Sequence, residues 1–227
     1  MKNIKSDLKI IVVGNTNTGK TSFVNKWTKN QYSDSYKATI VSEFGYKIFE
    51  KDNKVYRIQI WDLAGQDKNP TMTRVFCKDS HGVVVMCDVT DKTSLEATLK
   101  WKKSIDESTT FFDGTLMPMM IIQNKIDLID NYLNSDDNDE IKQSLNNLKQ
   151  FEVKNGFIMS YQTSVKKDFN VNESMNEFLN FIIEKTEKMS SKYNNASFTS
   201  QNDANNSIVL DLKDNNYKIK NSNCCSN

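Results

Sequence analysis

Gly14-Asn15-Thr16-Asn17-Thr18-Gly19-Lys20-Thr21 stands directly behind the apolar run from Leu8 to Val13 and directly ahead of a segment of helical period. The spacing is GxxxxGK(S/T), and its place between strand and helix gives the pattern a physical meaning. The glycines let backbone N–H groups turn inward around a β-phosphate, and the helix amino terminus adds its positive end. Lys20 reaches the β and γ oxygens, Thr21 offers a hydroxyl to magnesium, and Ser22 is counted with the loop at the helix start. Asn17 occupies a position where glycine is common, but asparagine tolerates left-handed backbone angles, so the loop is expected to form.

Outward from this loop, short apolar runs bounded by turn residues alternate with longer helical segments, the pattern of a parallel sheet covered by helices on both faces. Strands are expected at Leu8 to Val13, Phe44 to Phe49, Val55 to Trp61, Val83 to Asp88, Met119 to Gln123 and Phe157 to Ser160. The second and third flank a short KDN turn, which makes a hairpin and an antiparallel edge. Helices are expected at Thr21 to Lys29, Ser94 to Ser108, Asp139 to Val153 and Val171 to Met189. In the last of these, Val171, Met175, Phe178, Leu179, Ile182 and Ile183 form one apolar stripe. A chain of 227 residues with 37% hydrophobic content can bury one good core, so residues 1–189 read as one α/β domain. Residues 190–227, rich in Ser, Asn and Gln, read as a flexible tail that cannot bury enough apolar surface to order itself.

A phosphate loop alone leaves kinases, ATPases and GTPases open, and two further stretches decide. Trp61-Asp62-Leu63-Ala64-Gly65-Gln66 places Asp62 where a magnesium-linked water sits, Gly65 where its N–H meets a γ-phosphate, and Gln66 where it orients the attacking water. Asn124-Lys125-Ile126-Asp127 places a carboxylate to accept the guanine N1–H and 2-amino group, which adenine cannot supply. An acceptor left unpaired by the wrong base costs on the order of 1 to 3 kcal/mol.

With these motifs in order, the chain from Asp7 to Met189 resembles a small GTPase of the Ras superfamily, and within it the Rab family. The resemblance implies a three-layer P-loop GTPase fold with a six-stranded, mostly parallel sheet. It implies that Tyr32 flanks the guanine, that Thr39 closes over magnesium and the γ-phosphate, and that Thr163-Ser164-Val165-Lys166, similar to the TSAK loop, supports the base. Tyr36, Lys37, Ala38, Thr39, Ile40, Val41, Ser42, Glu43 and Phe44 then form the segment that effectors read. Met72-Thr73-Arg74-Val75, Leu95-Glu96-Ala97 and Lys100-Trp101-Lys102 resemble the Rab branch serving lysosome-related organelles. The chain departs from the family in reading TIVSEF where TIGVDF is usual, and Gly65-Gln66-Asp67-Lys68-Asn69 where GQERF is usual. These departures lie on surfaces that partners read, while the nucleotide positions are kept.

The resemblance implies bound GTP or GDP with Mg2+, an exchange factor, a GTPase-activating protein, a GDP dissociation inhibitor, a prenylation escort and effectors. No arginine finger is evident, so hydrolysis is expected to be slow alone and accelerated by roughly 10³ to 10⁵ with a partner. Cys224 and Cys225, followed only by Ser226 and Asn227, resemble the CCxx ending that receives geranylgeranyl groups, two long chains holding firmly where one is marginal. The tail from Ser190 to Asn223 would span roughly 30 to 35 Å as a flexible tether. The expected address is the cytoplasmic face of an intracellular membrane, endosomal or lysosome-related, with a cytosolic pool. The expected state is a monomer.

Other classes fit less well. Thirty basic against 29 acidic residues give no general pull toward nucleic acid. The four cysteines fit no disulfide framework, and one histidine with no CxxC pair lacks zinc ligands. No apolar run is long enough to span a bilayer. Cys77 and Cys87 read as packed thiols, His81 as a loop residue, and the acidic run from Asp136 to Glu140 as a helix start. A kinase would need an arginine-rich lid and no guanine reader. A nucleotide-locked scaffold, in which the changes after Gln66 have slowed turnover, is the remaining alternative.

Overall fold

The computed structural model describes residues 4–34, 43–65, 70–129 and 139–199. Strands β1 (Ile4–Gly14), β2 (Glu43–Lys51), β3 (Lys54–Asp62), β4 (Gly82–Asp88), β5 (Met119–Asn124) and β6 (Met159–Gln162) form one sheet in the order β2-β3-β1-β4-β5-β6. Neighbours are parallel except the β2–β3 hairpin. Its two turn residues, Asp52 and Asn53, adopt left-handed angles (φ 50° and 58°). Those residue types tolerate that backbone, and the resulting twist matches the strands.

The described residues hold helices α1 (Lys20–Lys29), α2 (Pro70–Cys77), α3 (Lys92–Ser108), α4 (Asp139–Asn155) and α5 (Val171–Thr199), with a 3₁₀ turn at Ile126–Leu128. Strands β4 and β5 are buried at every position, because helices cover both faces. On one face Phe23, Val24 and Trp27 of α1 and Val171, Met175, Phe178, Leu179 and Ile182 of α5 pack with Leu8, Ile10, Val12, Ile58 and Ile60. Helix α5 lies so close that a Cβ at Gly82 would meet the Phe178 ring at 2.7 Å. On the other face α3 packs against β4, β1 and β5, burying Ala97, Trp101 and Ile105. The three-layer α/β fold with a six-stranded, mostly parallel sheet is thus present.

Several elements differ from the expectation; β1 begins at Ile4 rather than Leu8. Helix α2 has no counterpart among the expected helices; Pro70 opens it, a residue whose fixed φ suits the first helical position. Strand β6 begins at Met159, two residues later than Phe157, because Gly156 (φ 69°) ends α4 and Phe157 turns inward to stack on Phe151, with centroids 6.3 Å apart. The helix expected to stop at Met189 continues to Thr199. The compact unit closes at Thr186, and Glu187–Asn227 forms a second unit. Within it Ser191 donates to the carbonyls of Glu187 (3.1 Å) and Lys188 (3.0 Å). Of the tail, residues 200–227, with Cys224 and Cys225, lie outside the described residues.

His81 precedes β4 as expected, and its Nδ1 accepts the Lys9 N–H at 3.1 Å. Burial pushes its pKa down to about 4. Cys77 and Cys87 are buried thiols, and burial raises both pKa values, that of Cys77 to about 11. Among the described residues no helix is long and apolar enough to cross a membrane.

Candidate functional site

The register of the parallel strands brings Gly14, Asp62, Asp88 and Asn124 to one edge of the sheet: Val12 lies opposite Asp62, Gly14 opposite Met86, and Asp88 opposite Asn124. This is the carboxyl edge, where ligands of open α/β sheets bind.

The loop from Gly14 to Gly19 closes tightly there. A Cβ at Gly14 (φ 145°) would lie 2.2 Å from the Met86 carbonyl oxygen, so no other residue fits. Asn17 takes the left-handed angle expected of it (φ 65°). Thr18 Oγ1 donates to the Asn15 carbonyl at 2.9 Å. Gly19 caps α1, its carbonyl accepting the Phe23 N–H at 2.8 Å. Lys20 is 6% exposed, and its ammonium also donates to the Asn15 carbonyl, at 2.8 Å. Burial pulls its pKa down to about 8, partly opposed by the nearby Asp62 carboxylate. Ser22 lies in the first turn of α1.

Across the loop, Thr21 Oγ1 donates to Asp62 Oδ2 at 2.5 Å, and Asp62 is fully buried. Gly65 passes against the loop so closely that a Cβ would meet the Thr16 nitrogen at 2.5 Å. A nearly buried ammonium beside a loop that excludes Cβ atoms needs an anion, and a phosphate fits it. The juxtaposed hydroxyl and carboxylate are the hard oxygen donors that Mg2+ takes. Thr21 and Asp62 would hold that ion, which would neutralise charge on the phosphates.

The other half of the site is tied to this one through Asn124, which is buried. Its Nδ2 donates to the Thr18 carbonyl at 3.0 Å, while its Oδ1 accepts from Thr163 Oγ1 (3.0 Å) and the Val165 N–H (3.3 Å). One side chain therefore fastens the phosphate loop to the loop after β6. Ser164 Oγ donates to Asp127 Oδ1 at 2.5 Å and accepts the Lys167 N–H at 3.0 Å, which orients the carboxylate assigned to guanine. Lys125, left-handed at φ 67°, pairs with Asp88 Oδ2 at 2.7 Å. Lys166 pairs with Asp34 at 3.1 Å, and the Tyr32 hydroxyl donates to the same carboxylate at 3.1 Å.

The structure thus brings together Gly14 to Ser22, Asp62, Gly65, Asn124, Lys125, Asp127, Ser164, Val165, Lys166 and Tyr32. Gln66, Thr39 and the residues Tyr36, Lys37, Ala38, Ile40, Val41 and Ser42 lie outside the described residues, and Glu43 is described in its backbone alone. Phe44 is 54% exposed and meets Trp61 edge to face at 5.3 Å, with Phe76 of α2 a further 6.3 Å from Trp61. The sequence reading missed Asp88, Asp34 and Phe76. Asp88 carried a signal: an acid at the carboxyl end of a central strand faces the same edge as Asn124.

The family model described as the Ras family matches residues 9–184. The chain is 34% identical over 168 residues to human Ras-related protein Rab-7L1, covering 74% of this chain and 78% of that one. It is 34% identical over 177 residues to Ras-related protein Rab-32A of Dictyostelium discoideum, 77% of each chain. It is 32% identical over 178 residues to human Ras-related protein Rab-32, covering 78% of this chain and 73% of the relative.

Proposed function

The chain belongs to the Ras family of small GTPases, in its Rab branch, and hydrolyses GTP; from that premise we propose that it is a membrane-attached switch whose GTP form recruits effectors in vesicle trafficking. The observation that carries the reading is the double role of Asn124. It joins a phosphate loop to a guanine-reading loop, so that both ends of one nucleotide are held by one preorganised unit. Asp127, held by Ser164, accepts from the base. Lys20 and the N–H groups of residues 15 to 20 hold the phosphates, and Thr21 with Asp62 and Thr39 hold magnesium.

Phosphoryl transfer is mostly positioning and charge stabilisation. Gln66 orients the attacking water, the Gly65 N–H meets the γ-phosphate, and Lys20 draws charge off the leaving oxygens. Turnover is slow alone and faster with an activating protein. The GDP and GTP forms differ around Thr39 and Gln66, and effectors read residues 36 to 44. The exposed Phe44, packed on the half-buried Trp61 with Phe76 beside it, supports this surface, since aromatic side chains anchor protein partners. An exchange factor reloads GTP, geranylgeranyl groups on Cys224 and Cys225 hold the chain on an endosomal or lysosome-related membrane, and a GDP dissociation inhibitor with a prenylation escort handles the lipid. The protein acts as a monomer.

Single-turnover hydrolysis of GTP by the purified chain, with Mg2+, tests the timer. Wild type is expected to outpace Gln66→Leu by roughly tenfold or more, as loss of water orientation removes part of the positioning. Equal rates would leave the nucleotide-locked scaffold as the reading, favoured then by the Gln66-Asp67-Lys68-Asn69 departure.

A further inference from the structure

We propose that Tyr32, Asp34 and Lys166 form a strap beside the base-reading carboxylate that sets the rate of nucleotide release, with Asp34 as its central positioning residue; the proposal rests on the guanine-nucleotide reading above. The Tyr32 hydroxyl donates to Asp34 Oδ1 at 3.1 Å, and Lys166 Nζ lies 3.1 Å from the same oxygen. One carboxylate oxygen therefore joins the chain leaving α1 to the loop that follows β6.

That loop already has a fixed point on α1, where Lys26 pairs with Asp168 at 2.9 Å. It also carries Ser164, which holds Asp127. Asp127 lies near enough to act electrostatically on both Tyr32 and Lys166. The strap thus lies beside the group that accepts the base.

The chemistry depends on a phenol at position 32. A phenylalanine there could flank the base equally well but could fasten nothing. Burial, with the Asp34 bond next in size, raises the Tyr32 pKa, so the hydroxyl keeps its proton and stays a donor. The Lys166 bond, with the Tyr32 bond next, holds the Asp34 carboxyl below its usual range, so the strap stays charged at neutral pH. All three groups are solvent-accessible, and Asp34 is 74% exposed in its side chain. An exposed pair of this kind shifts an equilibrium by at most about fivefold. A contact so weak cannot decide whether nucleotide binds, but it can set how fast it leaves.

Release of a fluorescent GDP analogue from the full-length chain, chased with excess GDP at low salt, tests this. Asp34→Asn is expected to release about fivefold faster than wild type, and Tyr32→Phe about twofold faster. A double variant of Tyr32→Phe with Asp34→Ala should release no faster than Asp34→Ala alone, since the hydroxyl then has no acceptor to hold. Asp34→Glu should restore most of the retention, and salt near 1 M should bring wild type to the Asp34→Asn rate by screening. Thermal melting should be nearly unchanged in Asp34→Asn, because an ion pair this exposed adds little to the stability of the fold. Release by Asp34→Asn at the wild-type rate, or additive effects in the double variant, would overturn the strap while leaving the nucleotide reading intact. A wild-type chain that fails to load GDP would overturn both.

Discussion

On the base side of the site, Asn124 and Asp127 are held in place by the protein itself, through Thr18, Thr163, Val165 and Ser164. On the phosphate side, Lys20 is folded onto its own loop, bonded to the Asn15 carbonyl and pulled down to a pKa of about 8 by burial. The first half is finished as a hydrogen-bonded unit before any ligand arrives. The second stores a buried charge that a ligand must complete. Preorganised polar groups give discrimination, because a wrong base leaves them unpaired. A buried, partly neutralised ammonium gives affinity for anions of many kinds. Selectivity and strength are therefore assigned to different halves, and each can be altered alone.

The largest expected effect comes from breaking the contact between the halves. Gly19 (φ 91°) has no room for a Cβ, which would lie 2.3 Å from Asn124 Nδ2. In Gly19→Ala the backbone is strained by about 1 to 2 kcal/mol. The Asn124 amide must also leave the Thr18 carbonyl, which costs about 1 to 3 kcal/mol more in a buried site. The variant should lose about 3 kcal/mol of stability, lowering Tm by roughly 5 to 10 °C. GDP affinity should drop by roughly a hundredfold, because 2.7 kcal/mol corresponds to about that factor. Calorimetric melting and GDP titration measure the two losses, and a variant matching wild type in both would show that the halves are not coupled through Asn124.

Which parts of this could be read from the sequence follows from the same division. GNTNTGKT and NKID each encode a local turn and its chemistry in a few adjacent residues, and Gly14, Asn17 and Gly19 announce left-handed or crowded backbone through residue type alone; the left-handed Lys125 does not. The periodic strands and helices were legible for the same reason. The Asp88–Lys125 and Asp34–Lys166 pairs were not, because they depend on which strand ends and loops the register brings together. Helix α2 was hidden by its eight-residue length, and the final helix by a polar carboxyl half that carries no apolar stripe to mark its end. Phe157 read as strand because apolar content alone cannot separate a residue in a ladder from one stacked under a helix end.

A second experiment separates the halves by pH. The Lys20 pKa is below that of a free lysine, so in the nucleotide-free protein the neutral form gains weight above pH 8. The sign for the fold is that of a depressed group: stability is greatest above the unfolded value near 10.5 and is lost as pH falls through about 8. For binding the sign reverses. A phosphate stabilises the charged amine, so GDP binding takes up part of a proton at about pH 8.5, and affinity declines by up to about tenfold per pH unit above 8. Titration calorimetry in two buffers of different ionisation heat reads the uptake directly. Proton release, or none, would mean that the stored charge is not what the phosphates complete.

The smallest expected effect lies on the base side, at Ser164. Its hydroxyl donates to Asp127 Oδ1 at 2.5 Å and accepts the Lys167 N–H at 3.0 Å, so it orients the carboxylate without touching the phosphates. In Ser164→Ala the Asp127 carboxylate loses one fixed partner, at a net cost of about 1 kcal/mol. Guanine nucleotide affinity should then weaken about fivefold. Inorganic phosphate or pyrophosphate, which reaches only the Lys20 half, should bind as to wild type. Ser164→Thr, which keeps the hydroxyl, should restore the guanine contact. If Ser164→Ala weakens GDP and pyrophosphate by the same factor, the serine supports the whole loop edge rather than the base reader, and the division between a preorganised half and a charge-storing half does not hold at this residue.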